Sequence, residues 1–188
     1  MIRIALVGEI ASGKTFVAKC FGHPIFNADE EVKKIYKTNK DCFKKLNRKF
    51  PKNIKHFPIK KSEIRQILNK SNIKTLSKIV HPYVRISLNK FLKKNKSKNY
   101  VVLDIPLLIE NKLYKKNDIL IYIKTKKSVI LGRIKKRKNY NNKILNLLRS
   151  QQGNIKKKKF LCNFIIDNNL GKKNIIRQIK KIKRKSND

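Results

Sequence analysis

Eight consecutive residues near the start of the sequence have the types and spacing needed to bind phosphate. They run from Gly8 to Thr15 and fit the pattern glycine, four residues, glycine, lysine and a hydroxyl residue, which is called a P-loop. Backbone N–H groups of such a loop surround a polyphosphate, with Lys14 at the β- and γ-phosphates and the Thr15 hydroxyl on Mg²⁺. The alternative interpretation is an ordinary turn between a strand and a helix, with an exposed lysine. The residues expected to contact a bound nucleotide are Gly8, Ala11, Ser12, Gly13, Lys14, Thr15 and Phe16.

The elements that must position this loop can be predicted from the apolar pattern around it. Residues 2–7 form an apolar run rich in β-branched side chains, which predicts a buried strand that ends at Gly8. From Gly13 the spacing becomes helical, with Val17 on the apolar face and Gly22 after the last turn. The P-loop therefore lies where a buried strand meets a helix, which is the context that its chemistry requires.

Four more strands alternate with helical patterns along the rest of the chain. The strands are predicted at residues 24–26, 100–105, 119–123 and 164–166. Helices are predicted after Asp29, over 41–92 with breaks at Pro51, Pro58 and Pro82, over 126–152 and over 172–183. Because the strands are continuously apolar, they favour a parallel sheet covered by helices on both faces. We therefore predict a single α/β domain, residues 1–188, with the long helical stretch as an insertion.

The composition is strongly basic. The chain has 50 Lys and Arg against 11 Asp and Glu, which gives a net charge of +39. One interpretation is binding to nucleic acid or to an anionic membrane. We favour a composition effect, because Lys, Ile and Asn are frequent everywhere and the basic residues are spread rather than localised. A basic protein also suits a polyanionic small substrate, and we expect no specific nucleic-acid partner.

Cysteine usage and hydropathy indicate a reduced, cytoplasmic protein without a membrane segment. The three cysteines are odd in number and lack the spacing of a disulfide framework or a zinc site. The longest apolar run, residues 100–109, contains Asp104 and Pro106 and is far shorter than the roughly 18 residues of a membrane span. Glu9 comes before any apolar core of a signal peptide. The oligomeric state is left open by the sequence.

A P-loop indicates a nucleoside triphosphate but not the reaction. GTPases need a base-specificity motif of the type Asn-Lys-x-Asp and a switch of the type Asp-x-x-Gly, and this sequence has neither. Motor and transport ATPases need far longer chains. A small P-loop kinase is the class that remains, and the other motifs of the chain must choose among such kinases.

These further motifs, taken in order, resemble those of the dephospho-CoA kinase family. They are Asn27-Ala28-Asp29, Val80-His81-Pro82 with Arg85, Pro106-Leu107-Leu108-Ile109-Glu110 with Tyr114, Arg133 with Arg137, Gln152 with Lys158, and Ile166-Asp167-Asn168-Asn169. The resemblance covers nearly the whole chain. It implies a P-loop kinase fold with a five-stranded parallel sheet, the first strand central. It also implies ATP-dependent phosphorylation of the ribose 3′-hydroxyl of dephospho-CoA, with Mg²⁺, in the last step of coenzyme A synthesis.

The same resemblance implies roles for individual residues and segments. Asp29 lies by the acceptor hydroxyl as the base, while Lys14, Arg133 and Arg137 offset charge on the transferring phosphoryl group. The acceptor is expected to contact Asp29, His81, Arg85, Leu108, Glu110 and Tyr114, the nucleotide also Asn169, and Mg²⁺ Thr15 and Asp104. The implied core is residues 1–38, 98–125 and 160–184, with an acceptor-binding insertion at about 39–97 and a lid at about 126–159.

Structural alternatives stay open for most of these residues. Asp29 could be only the N-cap of the helix that follows it, and Asp104 only a buried hydrogen-bonding group. His81, before a proline, could only end one helix and start the next. Arg133 and Arg137 lie four positions apart on one helix face and could both be solvated. Leu108, Ile109 and Tyr114 could equally be core residues.

Four positions depart from the family pattern. Glu9 replaces a usual glycine beside the phosphates, and Asn27 replaces the first Asp of an Asp-Ala-Asp segment. Asn163 replaces an acidic residue, and Lys138 stands where the lid commonly has Asp or Asn. None of them removes a group that phosphoryl transfer requires. The alternatives to the family's activity are another small P-loop metabolite or nucleoside kinase and a basic nucleic-acid-associated P-loop protein.

Overall fold

The computed structural model describes residues 1–136 and 142–186 and forms two compact units, Met1–Asn27 with Asn95–Asp188, and Ala28–Lys94. The elements of the first unit are β1 (Ile2–Val7), α1 (Lys14–Cys20), β2 (Ile25–Asn27), β3 (Tyr100–Asp104), β4 (Ile119–Lys124), α6 (Lys127–Lys135), α7 (Asn142–Gln151), α8 (Ile155–Phe160), β5 (Phe164–Asp167) and α9 (Gly171–Lys185). Those of the second are α2 (Ala28–Thr38), α3 (Lys40–Lys49), α4 (Lys61–Ile67) and α5 (Asn72–Lys94).

The first unit is built on a five-stranded parallel sheet in the order β2-β3-β1-β4-β5. Each predicted strand is present within one residue of its predicted bounds, and β1 is central, which confirms both expectations. Because β1 lies between β3 and β4, the chain segments that follow these three strands meet at one edge of the sheet. That edge carries the P-loop.

Helices α1 and α9 cover one face of the sheet. Ile4 and Leu6 of β1 pack in one buried cluster with Val17 of α1 and with Ile175 and Ile179 of α9. Full burial of such side chains contributes roughly 1.5–3 kcal/mol each. The strand β3 is buried along its whole length, which agrees with the continuous apolar run that predicted a sheet covered on both faces.

The second unit consists of four helices, in which α5 contacts α2 and α3. The predicted breaks at Pro51 and Pro58 lie between α3 and α4, but the predicted break at Pro82 is wrong, because α5 continues through it. Pro82 is exposed, and buried residues such as Val80 and Val84 on either side hold the helix against its neighbours. Proline usually breaks a helix because it has no backbone N–H and so removes one helix hydrogen bond. In α5 the packing of the buried residues outweighs that loss.

The structure differs from the predicted segments in three places. The helical unit begins at Ala28 rather than near residue 39, because α2 contacts α3 and α5. Helix α8 was not predicted, since its four consecutive lysines hide any apolar periodicity. The predicted helix over 126–152 is described as α6 and α7, on either side of residues 137–141.

Within the described part of the chain, no helix has the length and apolar character to span a membrane.

Candidate active site

The P-loop connects the carboxyl end of β1 to α1. Gly13 has a φ of 90°, in the left-handed region that glycine adopts without strain, and it is the N-cap residue of α1. The backbone N–H of Val17 donates to the Gly13 carbonyl at 3.0 Å, so the helix begins immediately after the loop. Ala11 also has a positive φ, 63°. The local structure is therefore the strand–loop–helix arrangement that the motif predicts.

Lys14 lies on the carbonyl oxygens of its own loop. Its Nζ donates to the carbonyl of Gly8 at 2.9 Å and to that of Glu9 at 3.0 Å. The side chain is half-buried, so Lys14 is not the solvated lysine of the alternative interpretation. Its ammonium group is held at the loop, where a polyphosphate would bind.

Asp104 ends β3 and joins two residues of the first unit. Thr15 Oγ1 donates to Asp104 Oδ2 at 2.6 Å, and Asn27 Nδ2 donates to the same oxygen at 2.7 Å. The sheet register pairs Asn27 with Asp104, which explains why the amide reaches it. Asp104 is buried, with 3% of its surface exposed. Asn27 therefore supplies a donor to this carboxylate where a second Asp would place a like charge.

The donor set of Thr15 and Asp104 fits Mg²⁺. This ion is usually held by one or two carboxylates, with substrate phosphates and water completing an octahedron. The described residues contain no cluster of three or more His, Cys, Asp or Glu side chains that would form an all-protein metal site. One hydroxyl and one carboxylate beside a phosphate-binding loop match the first arrangement.

Arg133 lies in α6 and contacts the back of the P-loop. Its Nη1 donates to the Ser12 carbonyl at 3.0 Å and to the Ala11 carbonyl at 3.3 Å. Arg133 is therefore bound to protein rather than solvated. Its predicted companion, Arg137, lies outside the described residues.

Glu110 and Lys158 form a partly buried ion pair beside the P-loop. The Lys158 ammonium donates to Glu110 Oε1, which also accepts from the backbone N–H of Gly153 at 3.3 Å. Gln152 contacts the P-loop itself, since its Oε1 accepts from the Ile10 N–H at 3.2 Å. These contacts hold the segment 152–158 to the loop after β3 and to the P-loop.

A small cavity lies between these groups within the first unit. Its lining residues are Leu6, Val7, Gly8, Lys14, Ile105, Leu107, Leu108, Ile109, Glu110, Gln152 and Lys158. Leu108 is buried, whereas the predicted acceptor residue Tyr114 is half-buried and does not line this cavity. Leu107 has a φ of 56°, a conformation that is rare for leucine and that is found more often at functional sites.

The two asparagines after β5 have different surroundings. Asn169 Oδ1 accepts from the backbone N–H of Lys126 at 2.9 Å, and its amide donates to Asp167. Asn168 Nδ2 instead donates to the Ser12 carbonyl at 2.7 Å. The structure thus brings Asn168 to the P-loop, while the contacts of Asn169, the predicted nucleotide residue, with Lys126 and Asp167 connect β5 to the start of α6.

The remaining predicted acceptor residues belong to the helical unit. Asp29 is exposed and is the second residue of α2, which begins at Ala28. Asp29 therefore lies inside the helix, and the prediction that it could be the N-cap residue is wrong. His81 and Arg85 are one helical turn apart within α5, and His81 therefore does not end a helix. Burial lowers the pKa of His81, and the nearby Arg85 charge lowers it further.

Comparison with known proteins identifies the family. The family model for dephospho-CoA kinase matches residues 2–174. The chain belongs to the dephospho-CoA kinase family. A dephospho-CoA kinase of Wolbachia pipientis wMel is 32% identical over 186 residues, 95% of each chain. One from Bartonella henselae is 33% identical over 171 residues, 87% of each chain.

Solved structures show that the family's fold is shared. A protein from Thermus thermophilus has a TM-score of 0.78 at 22% identity, covering 98% of this chain and 96% of that chain. The dephospho-CoA kinase from Campylobacter jejuni has a TM-score of 0.61 at 21% identity with the same coverage. Shikimate kinase from Bacteroides thetaiotaomicron, at 11% identity, has a TM-score of 0.54 and covers 100% of this chain and 99% of that chain. The chain therefore has the fold of P-loop kinases.

Sequence reasoning gave no role to two residues that the structure places against the P-loop, Asn168 and Thr125. Asn168 belongs to the motif Ile166-Asp167-Asn168-Asn169 but has no predicted role, and Thr125 belongs to none of the motifs. A usable signal existed, because both directly follow strands of a parallel sheet, β5 and β4. Polar residues at the carboxyl ends of such strands are placed on the edge where ligands bind.

Proposed function

We propose that this protein transfers the γ-phosphoryl group of ATP to the ribose 3′-hydroxyl of dephospho-CoA, which gives CoA and ADP in the last step of coenzyme A synthesis. The observation that carries the proposal is family membership over residues 2–174. The P-loop alone would not suffice, because many enzyme classes share it. A cytoplasmic location and the lack of a specific nucleic-acid partner belong to the same proposal.

The donor side of the reaction falls to the P-loop and its neighbours. Backbone N–H groups of residues 8–16 bind the phosphates, and Lys14 exchanges its loop carbonyls for the β- and γ-phosphate oxygens. Thr15 and Asp104 would hold Mg²⁺. When bound, this ion offsets negative charge on the phosphates. Arg133 and Arg137 add positive charge as the bond to the leaving ADP oxygen breaks.

The acceptor side is assigned by family resemblance. A new bond forms between the ribose oxygen and the γ-phosphorus, and the hydroxyl proton passes to the Asp29 carboxylate. His81, Arg85, Leu108, Glu110 and Tyr114 are proposed to bind dephospho-CoA. The Glu110 carboxylate already forms an ion pair with the Lys158 ammonium group. We therefore propose that Glu110 affects acceptor binding indirectly. Asn169 is proposed to contact the nucleotide.

One assay tests the proposal. ADP release by the purified chain with Mg-ATP is measured with dephospho-CoA, adenosine, deoxyadenosine, shikimate or RNA, and the product is identified by mass spectrometry. Dephospho-CoA alone should stimulate release and gain one phosphate. The variant Lys14→Ala should abolish this turnover, because the loop loses its cation on the transferring group. Stimulation by another acceptor only, or near-normal turnover in Lys14→Ala, would overturn the assignment.

A further inference from the structure

A single carbonyl of the P-loop accepts three side-chain donors. The Ser12 carbonyl oxygen receives Asn168 Nδ2 at 2.7 Å, Thr125 Oγ1 at 2.8 Å and Arg133 Nη1 at 3.0 Å. These donors come from three places in the chain, after β5, after β4 and in α6. A carbonyl oxygen has two lone pairs, so three donors exceed its ordinary capacity. Arg133 has the longest of the three bonds and divides its Nη1 with the Ala11 carbonyl.

Holding this carbonyl determines the direction of the next amide. In a trans peptide the C=O and N–H groups point to opposite sides of the chain. Donors on the Ser12 oxygen therefore keep the Gly13 N–H turned to the other side, where a P-loop presents its amides to phosphate. Gly13 has a φ of 90°, and glycine passes easily between conformations. Without its donors this peptide can rotate and withdraw the amide.

Asn168 is built closely into this arrangement. It is buried, with 4% of its surface exposed, and its backbone N–H donates to the Lys124 carbonyl at 2.9 Å. A Cβ atom on Gly13 would lie 2.3 Å from Asn168 Nδ2 and 2.9 Å from Arg133 Nη1. Because Gly13 has no side chain, Asn168 and Arg133 can reach the Ser12 carbonyl on the side of the loop opposite to its phosphate-binding amides.

We propose that Asn168 and Thr125 are positioning residues for nucleotide binding, which hold the Ser12–Gly13 peptide with its N–H toward the phosphates. The inference rests on the proposed function for one point, the role of Arg133. Arg133 makes the longest of the three bonds and shares its Nη1 with the Ala11 carbonyl, so the two shorter bonds do most of the positioning. Arg133 is therefore the donor that can turn to the transferring phosphoryl group, whereas loss of Asn168 or Thr125 weakens the hold on the peptide.

The test compares the two asparagines that flank β5, Asn163 before the strand and Asn168 after it. Asn168→Ala removes the donor to the Ser12 carbonyl. Asn163→Ala instead removes an acceptor just before β5, because Asn163 Oδ1 accepts from the Leu120 N–H at 2.8 Å. Mg-ATP binding is measured by calorimetry without acceptor, together with melting temperature and both KM values. We expect Asn168→Ala to weaken ATP binding about tenfold, the effect of losing one buried hydrogen bond, with the KM for dephospho-CoA within about twofold.

The control separates positioning from general damage. Asn163→Ala should lower the melting temperature and leave ATP affinity within about twofold of wild type. ATP affinity within about twofold of wild type in Asn168→Ala, or an equal loss in both variants, would overturn the inference. If Asn168→Ala does not fold, Thr125→Val decides: an ATP affinity loss of about threefold or more supports the inference, and unchanged affinity rejects it. Since no acceptor is present, a failed acceptor assignment leaves this result intact.

Discussion

Asp29 is the carboxylate on which the acceptor half of the proposed reaction depends. It lies in the first turn of α2 together with Glu30 and Glu31, and it is exposed. An acidic residue in a first helical turn stabilises the helix dipole by about 0.3–1 kcal/mol. This modest structural contribution allows a catalytic role to be separated from a stabilising one.

The variant Asp29→Asn keeps the side-chain shape and removes the proton acceptor. We expect turnover to fall by about 10²–10⁴, while ATP affinity and melting temperature change little. The matched control is Glu30→Gln, which neutralises a carboxylate in the same turn that forms an exposed ion pair with Lys33. Steady-state rates beside thermal melts compare them. Equal, near-normal turnover in both variants would show that Asp29 is not the base.

At the scale of elements, Glu63 connects α4 to the segment before it within the helical unit. Its Oε1 accepts from the backbone N–H groups of Lys55 at 2.8 Å and His56 at 3.1 Å, and Oε2 from that of Lys60 at 2.9 Å. Burial raises the pKa of Glu63, but these backbone hydrogen bonds and the His56 ring outweigh it and hold the pKa at about 2. The ionised form is therefore favoured in the folded state.

This shift predicts how stability depends on pH. Because the folded pKa, about 2, is below the ordinary value of 4.5, the stabilisation is present above pH 4.5. It is lost as the pH falls from there toward the folded pKa. We expect Glu63→Gln to lower the free energy of unfolding by about 2 kcal/mol at pH 7, with the difference from wild type shrinking in acid.

Urea unfolding of both proteins at neutral and acidic pH measures this difference. The exposed Glu30→Gln variant serves as the control and should stay within about 0.5 kcal/mol of wild type at neutral pH. A Glu63→Gln difference that is absent at pH 7, or that grows on acidification, would contradict the assignment.

For the whole molecule the dominant property is charge. With 50 basic and 11 acidic residues, at least 50 − 11 = 39 basic residues have no acidic residue of their own to pair with. Basic residues occupy the last turn of every helix in the described parts of both units, where they also interact favourably with the helix dipole. This wide distribution agrees with a composition effect better than with one binding patch.

Widely distributed charge predicts RNA binding that depends on salt and not on sequence. If the chain binds generic RNA at 50 mM salt, affinity should fall by about 10³-fold or more at 200 mM, through the loss of counterion release. Fluorescence anisotropy with two unrelated RNAs of equal length measures this, and the two should behave alike. Binding that resists salt and prefers one sequence would favour a specific nucleic-acid function.

Local pattern by itself determined the elements that build the donor site. The apolar run before Gly8, the P-loop and the helical spacing after it are contiguous, so their structure follows from neighbouring residues. The same holds for the five strands and their parallel arrangement, since continuous apolar strands between helices have few other ways to be buried. The central position of β1 and the acceptor residues came from family resemblance, because strand order has no local signal.

Tertiary structure alone decided which side chains meet the P-loop. Asn168 and Ser12 are 156 positions apart, Arg133 and Ser12 are 121 apart, and Lys158 and Glu110 are 48 apart. The position of Asn168 after a strand places it on the ligand-binding edge of the sheet, but the spacing of these residues does not indicate which atoms they contact. Packing also decided that α5 continues through Pro82, because buried neighbours on both sides outweigh one lost hydrogen bond. Contacts between distant residues depend on strand order and helix packing, which form only when the whole unit folds.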